Sequence, residues 1–319
     1  MSDWRPSSDA AAARRRADLL ERARAYFKAR DVLAVDTPAL SRYAGSDPNI
    51  DSLAACSLFG NDYFLHTSPE FCMKRLLAAG YPDIYSICRV YRDGESGKQH
   101  VPEFTMIEWY RLGFDLGSII EDTATFIATC LDEPALVESI EVLNYEETFR
   151  MHAGVDAFAA SIDELAACAR ADERLRRELA DDRDTWLDLI MSTVVAPRFP
   201  NGRLTVVQHY PASQAALARL CPDDDRVADR FEVFHGAMEL ANGYVELTDA
   251  VEQRQRIDRD LEKRQQLGRD VYPWDKTLIA ALESGLPECA GVALGLERLQ
   301  MVMDRTDDIS DVITFAVEN

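Results

Sequence analysis

The sequence is short of basic residues: 35 Lys and Arg stand against 56 Asp and Glu, a formal net charge of −21. A protein that tracks a phosphate backbone needs a basic face, so this balance argues against an extended nucleic-acid surface. It leaves room for a local basic pocket that takes a nucleotide. Cysteine is scattered: Cys56, Cys72, Cys88, Cys130, Cys168, Cys221 and Cys289 are odd in number and include no C-x-x-C pair. Neither a zinc site nor a disulfide framework is suggested, which fits a reducing, cytoplasmic setting. No apolar run is long enough to span a bilayer, and the polar N-terminal stretch with Asp3, Arg5 and Asp9 has no signal-peptide core. Repeats, low-complexity tracts and Gly/Ser linkers are also missing. What remains is ordinary globular composition, 47% apolar and 29% charged over 319 residues.

Periodicity divides the chain into helices and paired strands. Asp9–Arg30 reads as an amphipathic helix capped by Ser8 or Asp9, with Arg14, Arg15 and Arg16 on a solvated face. Val32–Val35 is a short strand stopped at Thr37-Pro38, Arg42–Asp51 a loop, and Ser57–Thr67 a hairpin around Gly60-Asn61-Asp62. Ser68-Pro69-Glu70 opens a helix that runs to Gly80, with Ser at N-cap and Pro at N1. Ile84–Tyr91 and Phe104–Tyr110 form a long hairpin closed by the polar loop Asp93–Lys98. A helix covers Leu116–Leu131. Residues 144–199 are helical and charge-rich and read as an insertion, because strands resume at Leu204–Gln208. Phe231–Leu247 is a second hairpin, broken at His235-Gly236 and at Asn242-Gly243. The helix Asp249–Leu267 follows, then a strand Gly291–Gly295 that leads into the helix Glu297–Met303. Hairpins with helices between them favour an α+β fold, an antiparallel sheet flanked by helices.

Three segments carry chemistry. The first hairpin places Arg92, Glu103 and Glu108 among Phe104, Ile107 and Trp109, where charges need partners and a ligand is one candidate. An arginine fork near a turn, followed by His100 and Phe104, suits a nucleotide: the fork takes a phosphate and the ring stacks on a base. Solvated surface ion pairs are the competing reading. The second segment, RFEVFHGAMELANGYVE from Arg230, spaces Glu232, Glu239 and Glu246 by seven. Odd spacing alternates faces in a strand unless the breaks reset the phase. Carboxylates clustered there would hold Mg²⁺ and a substrate ammonium; an outer face in water is the alternative. The third, Gly291–Arg298, matches neither a P-loop nor a dinucleotide fingerprint. It puts Arg298 in a first helical turn, where a cation opposes the helix dipole unless it faces an anion. Thr67-Ser68-Pro69-Glu70 is explained fully by a helix cap.

Together these segments resemble the three signature motifs of class II aminoacyl-tRNA synthetases. Asp36-Thr37-Pro38 resembles motif 1, the dimer motif. Val90-Tyr91-Arg92 through Pro102–Tyr110 resembles motif 2 of the lysyl branch, Gly291–Arg298 resembles motif 3, and Glu239–Glu246 resembles the lysine-site segment. Motif 1 arrives at Pro38, which leaves no room ahead of it for an anticodon-binding OB-fold. The chain is thereby similar to the stand-alone lysyl-synthetase paralogues that attach (R)-β-lysine to a lysine of elongation factor P. Thr67–Glu70 in place of Ala-Pro-Glu, and Ala293 in place of glycine, agree with a pocket reshaped for a β-amino acid. In motif 2, Gly94 replaces the glutamate that reads adenine, leaving Glu95 as the nearest acid. Gln99 replaces an arginine before His100, and Glu297 stands for the usual Asp.

The resemblance implies a single catalytic domain over 1–319 that uses ATP and Mg²⁺ and forms a homodimer without stable tRNA binding. Catalysis would rest on Arg92 and Arg298, with ATP held by Arg92, Glu95, His100, Phe104, Glu232, Glu239 and Arg298. Arg298 and Phe104 would sandwich the adenine, and Glu232 and Glu239 would hold the metal. Lysine or (R)-β-lysine would be bound by Ser68, Glu70, Glu108, Tyr110, Asn242, Glu246 and Ala293. Three rivals remain at this level. A compact lysyl-tRNA synthetase would charge tRNA. A non-catalytic synthetase-like sensor would tend to lose the ATP arginines and metal acids, which are present. An amide-forming biosynthetic ligase would lack the Glu239–Glu246 segment.

Overall fold

The structure is a computed structural model and describes residues 4–58 and 60–316. Asp3, grouped above with Arg5 and Asp9, lies outside the described residues. The strands are β1 (Leu33–Ala34), β2 (Leu40–Ser41), β3 (Ala54–Leu58), β4 (Asn61–Leu65), β5 (Ile84–Tyr91) and β6 (Glu103–Leu112), followed by β7 (Glu141–Asn144), β8 (Leu204–Pro211), β9 (Leu220–Cys221), β10 (Asp224–His235), β11 (Met238–Val245) and β12 (Cys289–Gly295). The main sheet runs β1-β5-β6-β12-β11-β10-β8-β7, with β9 beside β10; β2, β4 and β3 form a small second sheet. Helices α1 (Ala10–Lys28), α2 (Glu70–Ala78) and α3 (Leu116–Leu131) match their expected spans to within two residues. Further along lie α4 (Ala135–Glu138), α5 (Tyr145–His152), α6 (Ile162–Cys168), α7 (Glu173–Leu179), α8 (Arg183–Ile190), α9 (Ala250–Gln266), α10 (Lys276–Gly285) and α11 (Leu296–Asp304). This is the expected α+β architecture with one amendment: the terminal pairings, β1 with β5 and β7 with β8, are parallel.

Strand alternation sorts side chains between two faces of the main sheet. Ile107 and Trp109 of β6, Val292 and Leu294 of β12, Val245 of β11, and Phe231 and Val233 of β10 enter the largest core, under α1 and α3. Phe27 stacks there on Tyr85 at 4.2 Å and on Phe126 at 5.1 Å. On the other face Met73 and Leu77 of α2 pack with Ile257 of α9, Leu278 of α10, Tyr110 and Cys289. That second face also carries the polar residues singled out above. Between β7 and β8 the chain builds a separate apolar cluster around Tyr145, Phe149 and Trp186, continuous with Val207, Tyr210 and Phe234 of the sheet.

Local details amend the expectations. Asp9 is the α1 cap, its carboxylate accepting from the Ala12 amide at 2.8 Å. Arg15 and Arg16 pair with Asp304 (2.5 Å) and Glu297 (2.8 Å), so two of the three arginines tie α1 to α11. Pro69, not Ser68, occupies the α2 cap position; Ser68 Oγ instead accepts from the Glu70 amide at 2.9 Å. The second hairpin turns at Gly236, which has a φ of +56°, but Asn242-Gly243 is regular strand. The phase reset lies elsewhere. Val233 pairs with Ala241 and Phe234 with Glu239, so Leu240 is one residue too many in β11. Leu240 and Ala241 therefore both face the large core, and Glu239 returns to the polar face.

Candidate active site

The register across the centre of the sheet gathers the substrate residues expected from the sequence. Glu232 of β10, Asn242 of β11, Ala293 of β12, Glu108 of β6 and Ser86 of β5 are successive cross-strand partners. One step along, Tyr244, Gly291, Tyr110 and Ile84 form the adjacent row on the same face. Glu108, only 2% exposed, accepts from Ser68 Oγ at 2.7 Å and from the Tyr110 hydroxyl at 2.8 Å. Glu246, 1% exposed, follows β11 and comes up beside α2. Ser68, Glu70, Glu108, Tyr110 and Glu246 thus converge, and Asn242 and Ala293 stand beside them on the row that leads to Glu232.

A residue not foreseen binds this group together. Lys74, 1% exposed and one helical turn after Glu70, reaches Glu70 Oε1 at 2.7 Å and Glu246 Oε2 at 2.5 Å. The Tyr244 hydroxyl donates to the same Glu70 oxygen at 3.0 Å. Burial, opposed by Lys74, pushes the Glu246 carboxyl up to about 8. Burial and the neighbouring Glu70 charge push Glu108 up to about 8. The two nearby carboxylates outweigh burial and hold Lys74 protonated well above the ordinary lysine range. The i,i+4 spacing of Glu70 and Lys74 was the available sequence signal. Gly291 is the second unforeseen participant. A Cβ on it would lie 2.4 Å from Tyr110 Cε1 and 2.5 Å from Glu246 Oε1, so only glycine lets those two side chains cross β12 here.

The residues expected to bind a nucleotide lie nearby. The Arg92 guanidinium lies 5.1 Å from the Phe104 ring centroid, and its Nη1 is 3.3 Å from Glu95. Its Nε is buried without a hydrogen-bond partner, an orphan donor suited to an anion. Arg298 donates to the Glu239 carbonyl oxygen at 3.0 Å, lies 3.4 Å from Glu239 Oε2, and meets His100 Nε2 at 2.6 Å. Burial, reinforced by Arg298, lowers the His100 pKa and so provides a neutral imidazole. Phe104 lies under Arg92, while Arg298 is engaged by His100 and Glu239. Glu232 is half-buried and is pushed up to about 7, first by burial and then by the charge of Glu239. Arg230, overlooked in the sequence, donates to Glu232 Oε1 at 2.7 Å, and Asn242 Nδ2 adds a contact of 3.3 Å. Arg230 and Arg298 are the resident partners of Glu232 and Glu239, whose carboxylate oxygens are donors of the kind that fit a hard divalent cation.

Among the described residues one other group has metal-ligand spacing: His209, Cys221 and Asp229, with ligand atoms within 4.8 Å of one another. Arg219 already binds Asp229 at 2.8 Å and supplies the cation that carboxylate needs.

Comparison with known proteins shows the family of the whole chain. The family model of class II tRNA synthetases (D, K and N) matches residues 1–319. The elongation factor P–(R)-β-lysine ligase of Sodalis glossinidius (strain morsitans) is 42% identical over 327 residues, covering 100% of this chain and 99% of the relative. The proteins of the same name from Mannheimia succiniciproducens and Haemophilus influenzae Rd are 42% and 40% identical, covering 98% and 99% of those relatives.

Proposed function

The chain belongs to the class II tRNA synthetases (D, K and N), and from that premise we propose that it is an ATP-dependent ligase that activates (R)-β-lysine, or lysine, as the adenylate and transfers it to the ε-amine of a lysine on elongation factor P. The observation that carries the substrate reading is the carboxylate pocket on the same sheet face as the arginines, with Ala293 in register between Asn242 and Glu108. A diamino acid seated there directs its carboxylate toward the arginines.

In the first step a carboxylate oxygen of the amino acid attacks the α-phosphorus of ATP. The bond to the β-phosphate oxygen breaks and pyrophosphate leaves. In the second, the ε-amine of the target lysine attacks the activated carbonyl, the amine loses a proton and AMP departs. Neither step needs a covalent enzyme intermediate, so the side chains act by orientation and charge stabilisation. Arg92, with its orphan Nε, takes the α-phosphate, where charge shifts in the transition state. Arg298 exchanges its contact with Glu239 for the γ-phosphate. Neutral His100 holds Arg298, and Phe104 and Glu95 sit at the base-binding end. Glu232 and Glu239 are the residues that would hold Mg²⁺, which neutralises phosphate charge when bound. Ser68 and Tyr110 fix Glu108 for a substrate ammonium, with Glu70, Glu246 and Asn242 completing the pocket. Leu33 and Leu40, exposed on either side of Asp36-Thr37-Pro38, support a homodimer through that segment.

The test is to incubate the protein with ATP and labelled lysine or (R)-β-lysine, offering elongation factor P and tRNA side by side. Label on the factor is expected; label on tRNA alone, or on neither, overturns the assignment.

A further inference from the structure

Charge balance in the pocket assigns a role to Lys74. Three carboxylates, buried Glu108 and Glu246 and half-buried Glu70, face one resident ammonium, so once all three are ionised two negative charges are left without a resident cation. The titratable groups around Lys74 come from every packed element: Glu70 from α2, Glu108 and Tyr110 from β6, Tyr244 and Glu246 from β11 and its end, and Cys289 from β12. None of them is a second cation. Lys74 spans Glu70 and Glu246, whereas Glu108 is held only by two hydroxyls. Buried charges are stable when paired and costly when not. Such a pocket is balanced by a ligand that brings two ammonium groups, as a diamino acid does, and is under-filled by a ligand with one.

We propose that Lys74 is a positioning residue: its ammonium bridges Glu246 and Glu70, so that the pocket's carboxylates, once ionised around a ligand, exceed the resident cation by two and match a diamino acid. The proposal rests on the ligase reading above. Without the ammonium, Glu246 faces Glu70 unpaired and holds its proton more tightly than in the wild type. That proton must leave as the second substrate ammonium enters.

The experiment measures amino-acid-dependent ATP–pyrophosphate exchange between pH 6.5 and 9 for the wild type, Lys74→Met and Lys74→Arg. In K74M the KM for lysine rises by about 10- to 100-fold at neutral pH, the range for a buried charge left unpaired. Its log KM falls with pH more steeply than wild type, by up to one unit per pH unit, while kcat stays within about threefold. K74R keeps the charge and restores the wild-type slope. A purely structural role would lower kcat and thermal stability in K74M and leave the slope unchanged. That result, or a K74M KM within about threefold of wild type, overturns the proposal. The wild type separates the two claims: its exchange with lysine or (R)-β-lysine upholds the ligase reading whatever the variants do. Absence of exchange with either acid removes that reading, and the role of Lys74 falls with it.

Discussion

Replacing Gly291 with alanine is a one-methyl perturbation whose consequence can be worked from distances. The new Cβ falls 2.4 Å from Tyr110 Cε1 and 2.5 Å from Glu246 Oε1. Ordinary contact is roughly 3.5–4 Å, so each neighbour must move by about 1 Å or more. Neither has space to do so cheaply: Tyr110 is 2% exposed, and Glu246 is tied to Lys74 at 2.5 Å. Overpacking of this kind costs roughly 1–3 kcal/mol. A shift of that size in the ring also breaks the 2.8 Å bond from the Tyr110 hydroxyl to Glu108, which becomes a bond to a charged acceptor, worth about 1.5–3 kcal/mol, once a substrate ammonium pairs with that carboxylate. Expressed in substrate binding, that loss is about a 10- to 150-fold rise in KM for lysine. Amino-acid-dependent ATP–pyrophosphate exchange reads the KM, and a thermal melt confirms that the variant is folded. A folded Gly291→Ala protein with a lysine KM within twofold of wild type would refute the claim that Tyr110 and Glu246 cross at this glycine to shape the pocket.

The other predictions concern phosphate binding, substrate choice and pH. Arg92→Ala or Arg298→Ala reduces the exchange rate by at least about 100-fold, since one lost charge clamp costs on the order of 3–4 kcal/mol in the transition state; near wild-type exchange in either variant removes that arginine from the ATP site. Ala293→Gly shifts preference from (R)-β-lysine toward α-lysine, measured as the ratio of kcat/KM values, and an unchanged ratio takes Ala293 out of the specificity argument. Glu108 rises from 4.5 to about 8 on folding, so its protonated form is favoured in the folded state. The stability it contributes is present below about pH 4.5 and is lost as pH climbs through about 8. Ligand-free Glu108→Gln therefore shows a smaller decline in Tm between pH 5 and 8.5 than wild type; parallel curves would rule out a raised carboxyl at this position.

Much of the fold was open to a reading of the chain alone because alternation and helical spacing are local properties. The span Ile84–Tyr91 and the helix Leu116–Leu131 match β5 and α3 to the residue. The isolated short strands β7 and β9 and the helix α10 escaped notice, because short elements leave little periodic signal. The candidate ATP and lysine residues were also legible, since arginines and carboxylates among strand apolars demand a reason. The partners these side chains take were less so: Arg92 over Phe104 and Arg298 on His100 are contacts between segments that only the folded chain brings together.

By itself the sequence determined the α+β class, the two hairpins, and the acids and arginines from which a site is made. Local patterning dictates elements and faces, and the chain cannot hide a buried charge. Only the tertiary structure decided how those charges are divided. The extra residue Leu240 turns Glu239 to the side of Glu232, a consequence of strand pairing that seven-residue spacing does not reveal. Helix α2, packed over the sheet, delivers Lys74 between Glu70 and Glu246, and Arg230 comes to Glu232 from the same strand face. Charge compensation acts across space at 2.5–2.7 Å, between residues up to 172 positions apart in the chain (Lys74 and Glu246), and so it is settled by packing.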